Sequence, residues 1–131
     1  MTSRIEQYAL IGDTQTAALI ADDGSIDWLC VPRFDSGACF AALLGDDRHG
    51  RWQIAPAAGG RAARRSYRDD TLVLETEFDT PEGTVRVVDC MPVRDQSVDL
   101  VRIVEGVSGH VPMAMDFVVR FDYGSVVPWV R

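Results

Sequence analysis

From Leu72 to Met91 the chain sets out one pattern that leaves few folds open. Leu72, Leu74, Thr76 and Phe78 alternate with Val73, Glu75, Glu77 and Asp79, so one face of an extended segment is apolar and the other largely acidic. That period of two belongs to a strand with one face on a core. Thr80-Pro81-Glu82-Gly83 then reads as a turn, with Pro presetting φ and Gly closing it, and Thr84–Met91 runs back. The same grammar recurs. Thr16–Ala21 and Ile26–Val31 are joined by Asp22-Asp23-Gly24-Ser25, and Asp and Gly tolerate the left-handed backbone of a tight hairpin. Pro32 lacks a backbone donor and stops the second of these strands.

Tyr8–Ile11 and Trp52–Ala55 are shorter strand candidates, and Ala57–Ala63, small and Gly-rich, is a surface loop. Leu100–Val107 and Val111–Phe121 form a third pair, joined at Ser108-Gly109-His110, with Met113, Met115, Phe117, Val119 and Phe121 on one face. Hairpins at this spacing predict a mainly β fold, an antiparallel β-sandwich. One short helix is expected near residues 37–44, with Ser36 as N-cap and Gly45 as C-terminal cap. Two turns of helix hold only when packed against something else.

At 131 residues the chain is one domain's worth, 1–131, large enough to bury roughly two thirds of its unfolded surface. The formal net charge of -7 argues against nucleic acid or an anionic membrane as partner, since both need a positive field. All 13 basic side chains are Arg, which reads as coding bias rather than function. Cys30, Cys39 and Cys90 are an odd set without pairing spacings, so reduced thiols are expected. His49 and His110 stand alone and no Cys-x-x-Cys occurs, so no zinc and no cofactor is expected, although a site built from scattered carboxylates stays open. The start lacks a basic-plus-apolar leader and no apolar run has transmembrane length, which makes a cytoplasmic location the expectation.

Signals for chemistry are sparse. Gly106-Val107-Ser108-Gly109-His110 nearly matches a nucleophile elbow, but His110 replaces the final Gly and the order strand–turn–strand is wrong for one, so a hairpin turn is expected. Glu75 and Glu77 share a strand face; they read either as an acid/base pair or as a solvated face. The second is favoured, because glycosidase carboxylates flank a cleft about 5–9.5 Å across. Asp27, Trp28, Arg33, Phe34 and Asp35 cluster around Pro32 and are the candidate domain-interface or substrate-mouth residues. Arg33 and Asp35 could lock the corner through a bidentate bond. Alternatively Arg33 and Trp28 face a ligand or a second domain, since rings pack on sugar faces and Arg offers forked donors.

At these residues a resemblance enters. Tyr8-Ala9-Leu10-Ile11-Gly12-Asp13-x-Gln15-Thr16-Ala17-Ala18-Leu19, then Asp23-Gly24-Ser25-Ile26-Asp27-Trp28-Leu29-Cys30-x-Pro32-Arg33-Phe34-Asp35-Ser36, resembles the start of bacterial glycoside hydrolase family 15 proteins, the glucoamylase- and trehalase-like enzymes. Leu72-x-Leu74-Glu75-Thr76, Asp89-x-Met91-Pro92, Val101-Arg102-x-Val104-Glu105-Gly106 and Arg120-Phe121-Asp122-Tyr123 are similar to later landmarks. The resemblance implies an N-terminal antiparallel β-sandwich followed by a catalytic (α/α)6 barrel, whose two glutamates hydrolyse an α-glucosidic bond with inversion. None of those glutamates has a counterpart here, so the chain alone is expected to be inactive.

The expected partners are therefore the barrel and, second, an α-glucoside substrate; oligomeric state is open. The apolar end Val126–Arg131 reads as a strand awaiting a partner, so the sandwich is expected to be incomplete. Two rival readings are carried with the supporting-domain one. Trp28, Trp52, Tyr67, Tyr123 and Trp129 would supply the stacking platform of a free-standing sugar-binding module, or the chain is a fragment without independent function.

Overall fold

The computed structural model describes residues 3–129. Two antiparallel sheets pack face to face, as the alternation predicts. The first sheet is built from β1 (Tyr8–Gly12), β2 (Ala17–Ala21), β3 (Ser25–Cys30), β4 (Ala38–Phe40), β5 (Arg51–Pro56) and β10 (Met113–Val118). Its order is β1-β2-β3-β5-β10, with β4 also paired to β3. The second holds β6 (Arg64–Tyr67), β7 (Leu74–Thr80), β8 (Gly83–Cys90) and β9 (Val101–Gly109), in that order. No helix among the described residues is long and apolar enough to cross a membrane.

The turns form where turn chemistry is strongest. Gly24 takes φ +83 and donates to Ala21 O, while Asp23 Oδ1 accepts from Ser25 N, closing the β2–β3 hairpin. A Cβ on Gly24 would lie 2.2 Å from Ile54 O, so the residue is fixed by φ and by space together. At the β7–β8 turn, Thr80 Oγ1 accepts from the amides of Glu82 and Gly83.

Ile11, Ala18, Ile20, Ile26, Leu29, Phe40, Leu74 and Met91 form one core cluster, and Ile54, Phe78, Val85 and Val87 form a second, with Trp52 packed against both. Across the middle, Arg102 Nε and Nη2 donate to the two oxygens of Asp89 at 2.7 and 3.3 Å. The same guanidinium donates to Trp52 O and Gly24 O at 2.6 and 2.7 Å. Both side chains are fully buried. The pair therefore ties β9 of one sheet to β5 and the β2–β3 turn of the other.

Three expectations change in detail. The short helix near 37–44 is a strand, β4, followed by a single 3-10 turn at Ala42–Leu44. Ser36 does not cap it: its Oγ accepts from Arg33 N, and the backbone that follows is extended because β3 offers free partners at Leu29 and Cys30. Gly45 does end the turn, donating to Ala42 O. The segments around Ser108-Gly109-His110 do not form a hairpin. β9 pairs with β8 and β10 with β5, so the chain crosses between the sheets at this corner. Gly106–Gly109 are strand residues, and Ser108 Oγ accepts from Thr84 N. Strand β6 went unread, because Arg64-Arg65-Ser66-Tyr67 has no apolar alternation. Val130 and Arg131, the end of the apolar tail, lie outside the described residues.

Candidate functional site

The predicted block separates into two places. Arg33, Phe34 and Asp35 stand exposed just past β3, around a depression of about 400 Å³ that they share with Thr14 and Gln15. The corner is held by backbone: Phe34 N donates to Gln15 O at 3.0 Å and Ser36 N to Arg33 O at 3.1 Å. Arg33 and Asp35 meet through one contact, Nε to Oδ1 at 3.3 Å, with both side chains exposed. An exposed single-contact pair contributes little, so the bidentate lock is not what fixes this corner. Beneath it, Asp13 Oδ1 accepts from the amides of Gln15 and Thr16, and Arg94 reaches Asp13 Oδ2 and Gln15 Oε1. Burial pushes the Asp13 carboxyl up, but the Thr16 and Gln15 amides and the Arg94 guanidinium outweigh it and hold it below the usual range.

Asp27 lies elsewhere in character. It is the extra residue of a β-bulge, because Ile26 pairs with Ile20 while Trp28 pairs with Leu19. It is buried and accepts from Tyr8 Oη at 2.6 Å and Ser25 Oγ at 2.5 Å. Burial raises its pKa against those two hydrogen bonds, and burial with the adjoining carboxylate also pushes the Tyr8 phenol up. Trp28 packs on Cys30, Ala38 and Ala41, and its ring lies 6.0 Å from Tyr123 at 32°.

Trp52 and Tyr67 are engaged elsewhere and do not form a platform with that pair. Trp52 is packed inside, with Arg102 5.3 Å over its ring and Phe117 edge-on at 5.3 Å. Tyr67 Oη bridges Leu10 N and Leu10 O. Trp129 is exposed near the end of the described chain.

Carboxylates on the outer face of the second sheet form a ladder with arginines. Glu77 accepts from Arg64 and Arg86, Glu105 from Arg86, and Asp79 from Arg64 at 2.8 and 2.9 Å. Glu75 is paired with Arg68. Glu75 and Glu77 thus sit on a solvated, charge-paired strand face and frame no cleft. Cys30, Cys39 and Cys90 are free thiols, and burial pushes Cys39 up to about 11. Among the described residues no cluster of His, Cys, Asp and Glu could hold a metal ion.

Sequence reasoning missed the partners that organise these places: Tyr8 and Ser25 for Asp27, Arg94 for Asp13, and Arg102 for Asp89. A signal was available for the last, since an Asp within the apolar run Val87-Val88-Asp89-Cys90 requires a buried cation.

A family model described as trehalase-like, N-terminal, matches residues 1–130. The chain belongs to the trehalase-like N-terminal family. Trehalase 1 of Sulfolobus acidocaldarius is 36% identical over 127 residues, covering 97% of this chain and 21% of that protein. The trehalase of Mycolicibacterium smegmatis is 33% identical over 141 residues (93% and 21%), and that of Thermoplasma volcanium 33% over 135 residues (98% and 22%). The chain thus spans about a fifth of the length of these relatives. No solved structure gives a significant match. Asp13, the Asp89–Arg102 pair and the Pro32–Asp35 corner fall on residues whose pattern carried the resemblance, whereas Arg94 lies outside it.

Proposed function

We propose that this chain is the non-catalytic N-terminal domain of an enzyme that hydrolyses an α-glucoside of the trehalose kind, and that it supports the catalytic polypeptide. The observation that carries this reading is the match of residues 1–130 to the trehalase-like N-terminal family, with relatives named as trehalases. The charge-paired state of Glu75, Glu77 and Glu105 is consistent with chemistry residing outside this sandwich. In this proposal Arg33, Phe34 and Asp35 face the catalytic polypeptide, because an exposed Phe between two charges on a backbone-fixed corner is built for a contact rather than for stability.

A protein in which this chain replaces the matched region of Sulfolobus acidocaldarius Trehalase 1 tests the reading. It should fold and release glucose from trehalose, whereas the chain alone should release none. Phe34→Ser in that protein should lower kcat/KM about tenfold without changing the unfolding midpoint of the chain alone. Glucose release by the chain alone, or a folded but inactive fusion, overturns the reading.

The half-buried Trp28–Tyr123 pair favours a second reading, a sugar-binding module. Trp fluorescence during titration with trehalose and maltooligosaccharides separates the two: a saturable change supports sugar binding, and a flat response removes it.

A further inference from the structure

After β10 the chain turns back on itself, and Phe121 and Val126 exchange both backbone hydrogen bonds at 2.8 and 3.0 Å. Between them Asp122, Tyr123 and Gly124 follow one another with φ of +49, +57 and +95. Only the third is a glycine. An aromatic residue held left-handed is a costly choice where Asn or Gly would close the same turn. Such residues persist where the surroundings hold them, and they cluster at ligand sites. Here the hold is visible. Ser125 N and Oγ donate to Asp122 O at 3.2 and 2.8 Å, and a Cβ on Gly124 would lie 2.8 Å from the His49 ring.

What this backbone achieves is the placement of two side chains. The Tyr123 ring comes to 6.0 Å from Trp28, which is backed by Cys30, Ala38 and Ala41. Tyr123 is itself 49% exposed, so it does not serve as a buried plug over Trp28. Asp122 is exposed and carries its carboxylate over Gly37, where an added Cβ would lie 3.3 Å from Oδ1. The hydrogen bonds of the turn go to its backbone oxygen and leave that carboxylate to an incoming group. Rings accept the C–H face of a pyranose, and a carboxylate accepts from neighbouring hydroxyls.

Resting on the reading of this chain as a domain of an α-glucoside hydrolase, we infer that the Asp122-Tyr123-Gly124 turn is a substrate-positioning element. With Trp28 it holds a glucosyl unit, the rings against the apolar face of the sugar and Asp122 accepting from its hydroxyls. A cation is the other ligand that rings beside a carboxylate would take; the functional reading, with an uncharged glucoside, favours the sugar.

The test is steady-state kinetics with trehalose on the chain joined to the remainder of Sulfolobus acidocaldarius Trehalase 1. Tyr123→Asn removes the ring but keeps a residue that tolerates left-handed backbone, so the turn is spared. It should raise KM about tenfold and leave kcat within about twofold, because a ring that only holds the sugar is lost from ground and transition state alike. Tyr123→Phe keeps the ring and should keep KM. Asp122→Asn should raise KM about fivefold. An unchanged KM in Tyr123→Asn, including one accompanied by a fall in kcat and in thermal midpoint, overturns the inference and leaves the functional reading standing. If the joined protein folds but does not hydrolyse trehalose, the functional reading falls. The inference is then decided on the chain alone, by amide chemical shifts during titration with trehalose, as it is if the joined protein does not fold. Saturable shifts at Gly37, Asp122 and Tyr123 that vanish in Tyr123→Asn support it, and no shift there overturns it. Shifts there with arginine chloride but none with trehalose overturn it in favour of a cationic partner.

Discussion

The two sides of this sandwich are finished differently. On one side β1 meets β6, and side chains from β6 close the edge. Tyr67 Oη takes both the amide and the carbonyl of Leu10, and Arg65 donates to Gln7 O and Ile20 O. From the other face Tyr8 ties β1 to the Asp27 bulge of β3. On the far side, among the described residues, β9 and β10 leave a backbone edge unpaired and part of the inner face exposed. The closed side is made by polar side chains on strands with weak apolar alternation. The open side holds some of the strongest apolar alternation in the chain. Alternation states which face should be buried; it does not state that the chain at hand buries it.

The largest effect is expected at the buried anchor of β9 on the open side. Arg102 belongs to β9, yet it is fully buried and joins Asp89, Trp52 O and Gly24 O. Arg102→Ala leaves the Asp89 carboxyl buried without a cation and two carbonyls without donors. Such a truncation costs about 3–5 kcal/mol, read as a fall in the urea midpoint. A loss under about 1 kcal/mol would mean that β9 is not held through this pair.

Opening the closed side should cost less. Tyr67→Phe with Arg65→Ala removes the hydroxyl that β6 gives to Leu10 of β1 and the donors it gives to Gln7 O and Ile20 O, but water can replace them at an exposed edge. The expected loss is about 2 kcal/mol for the double variant, with faster exchange at Leu10. If Leu10 exchange is unchanged, the edge is not closed by these side chains, and the contrast between the two sides disappears.

Acid titration separates two carboxylates of this closed side. The folded pKa of Asp27 is raised by burial, so the native state holds that proton more tightly than the unfolded chain. Its contribution to stability therefore falls as pH climbs from the ordinary value of 3.8 through the raised folded value. Asp13 has the opposite sign: its folded pKa is lowered, so its contribution is present above 3.8 and is lost as pH falls through the folded value. Asp27→Asn keeps an acceptor for Tyr8 or Ser25 and should change stability at pH 7 by about 1 kcal/mol or less, in the stabilising direction. It should also flatten the decline just above pH 3.8. A steeper decline would mean that Asp27 is ionised in the fold at lower pH than burial implies.

Much of this contrast lay within reach of the sequence. The alternation of Leu74, Thr76 and Phe78 and the turns at Asp23-Gly24 and Pro81-Glu82-Gly83 placed most of the strands and the sandwich. What local pattern could not supply was pairing between distant segments. Ser108-Gly109-His110 looks like a hairpin turn, but the choice between pairing β9 with β10 and sending them to different sheets is made by β8 and β5, far away in the chain. The short helix failed for a similar reason, since the free groups of β3 draw Ala38–Phe40 into extended pairing. The corner around Phe34 was legible as a cluster, whereas its support, Arg94 on Asp13, joins residues 81 apart and leaves no local trace.

The smallest effect is also the most discriminating. Met115 and Ile54 are partners in register on the same inner face, so by pattern they are equivalent core positions. Ile54 packs among Phe78, Val85 and Val87, whereas Met115 is largely in solvent. Ile54→Ala removes buried volume and should cost about 2–5 kcal/mol. Met115→Ala removes atoms that already touch water and should stay within about 0.5 kcal/mol in the chain alone. A loss of about 2 kcal/mol or more at Met115 would mean that the open side is closed in solution by some rearrangement of this chain or by a second copy. Equal values at different protein concentrations would then select the rearrangement, since association makes apparent stability depend on concentration.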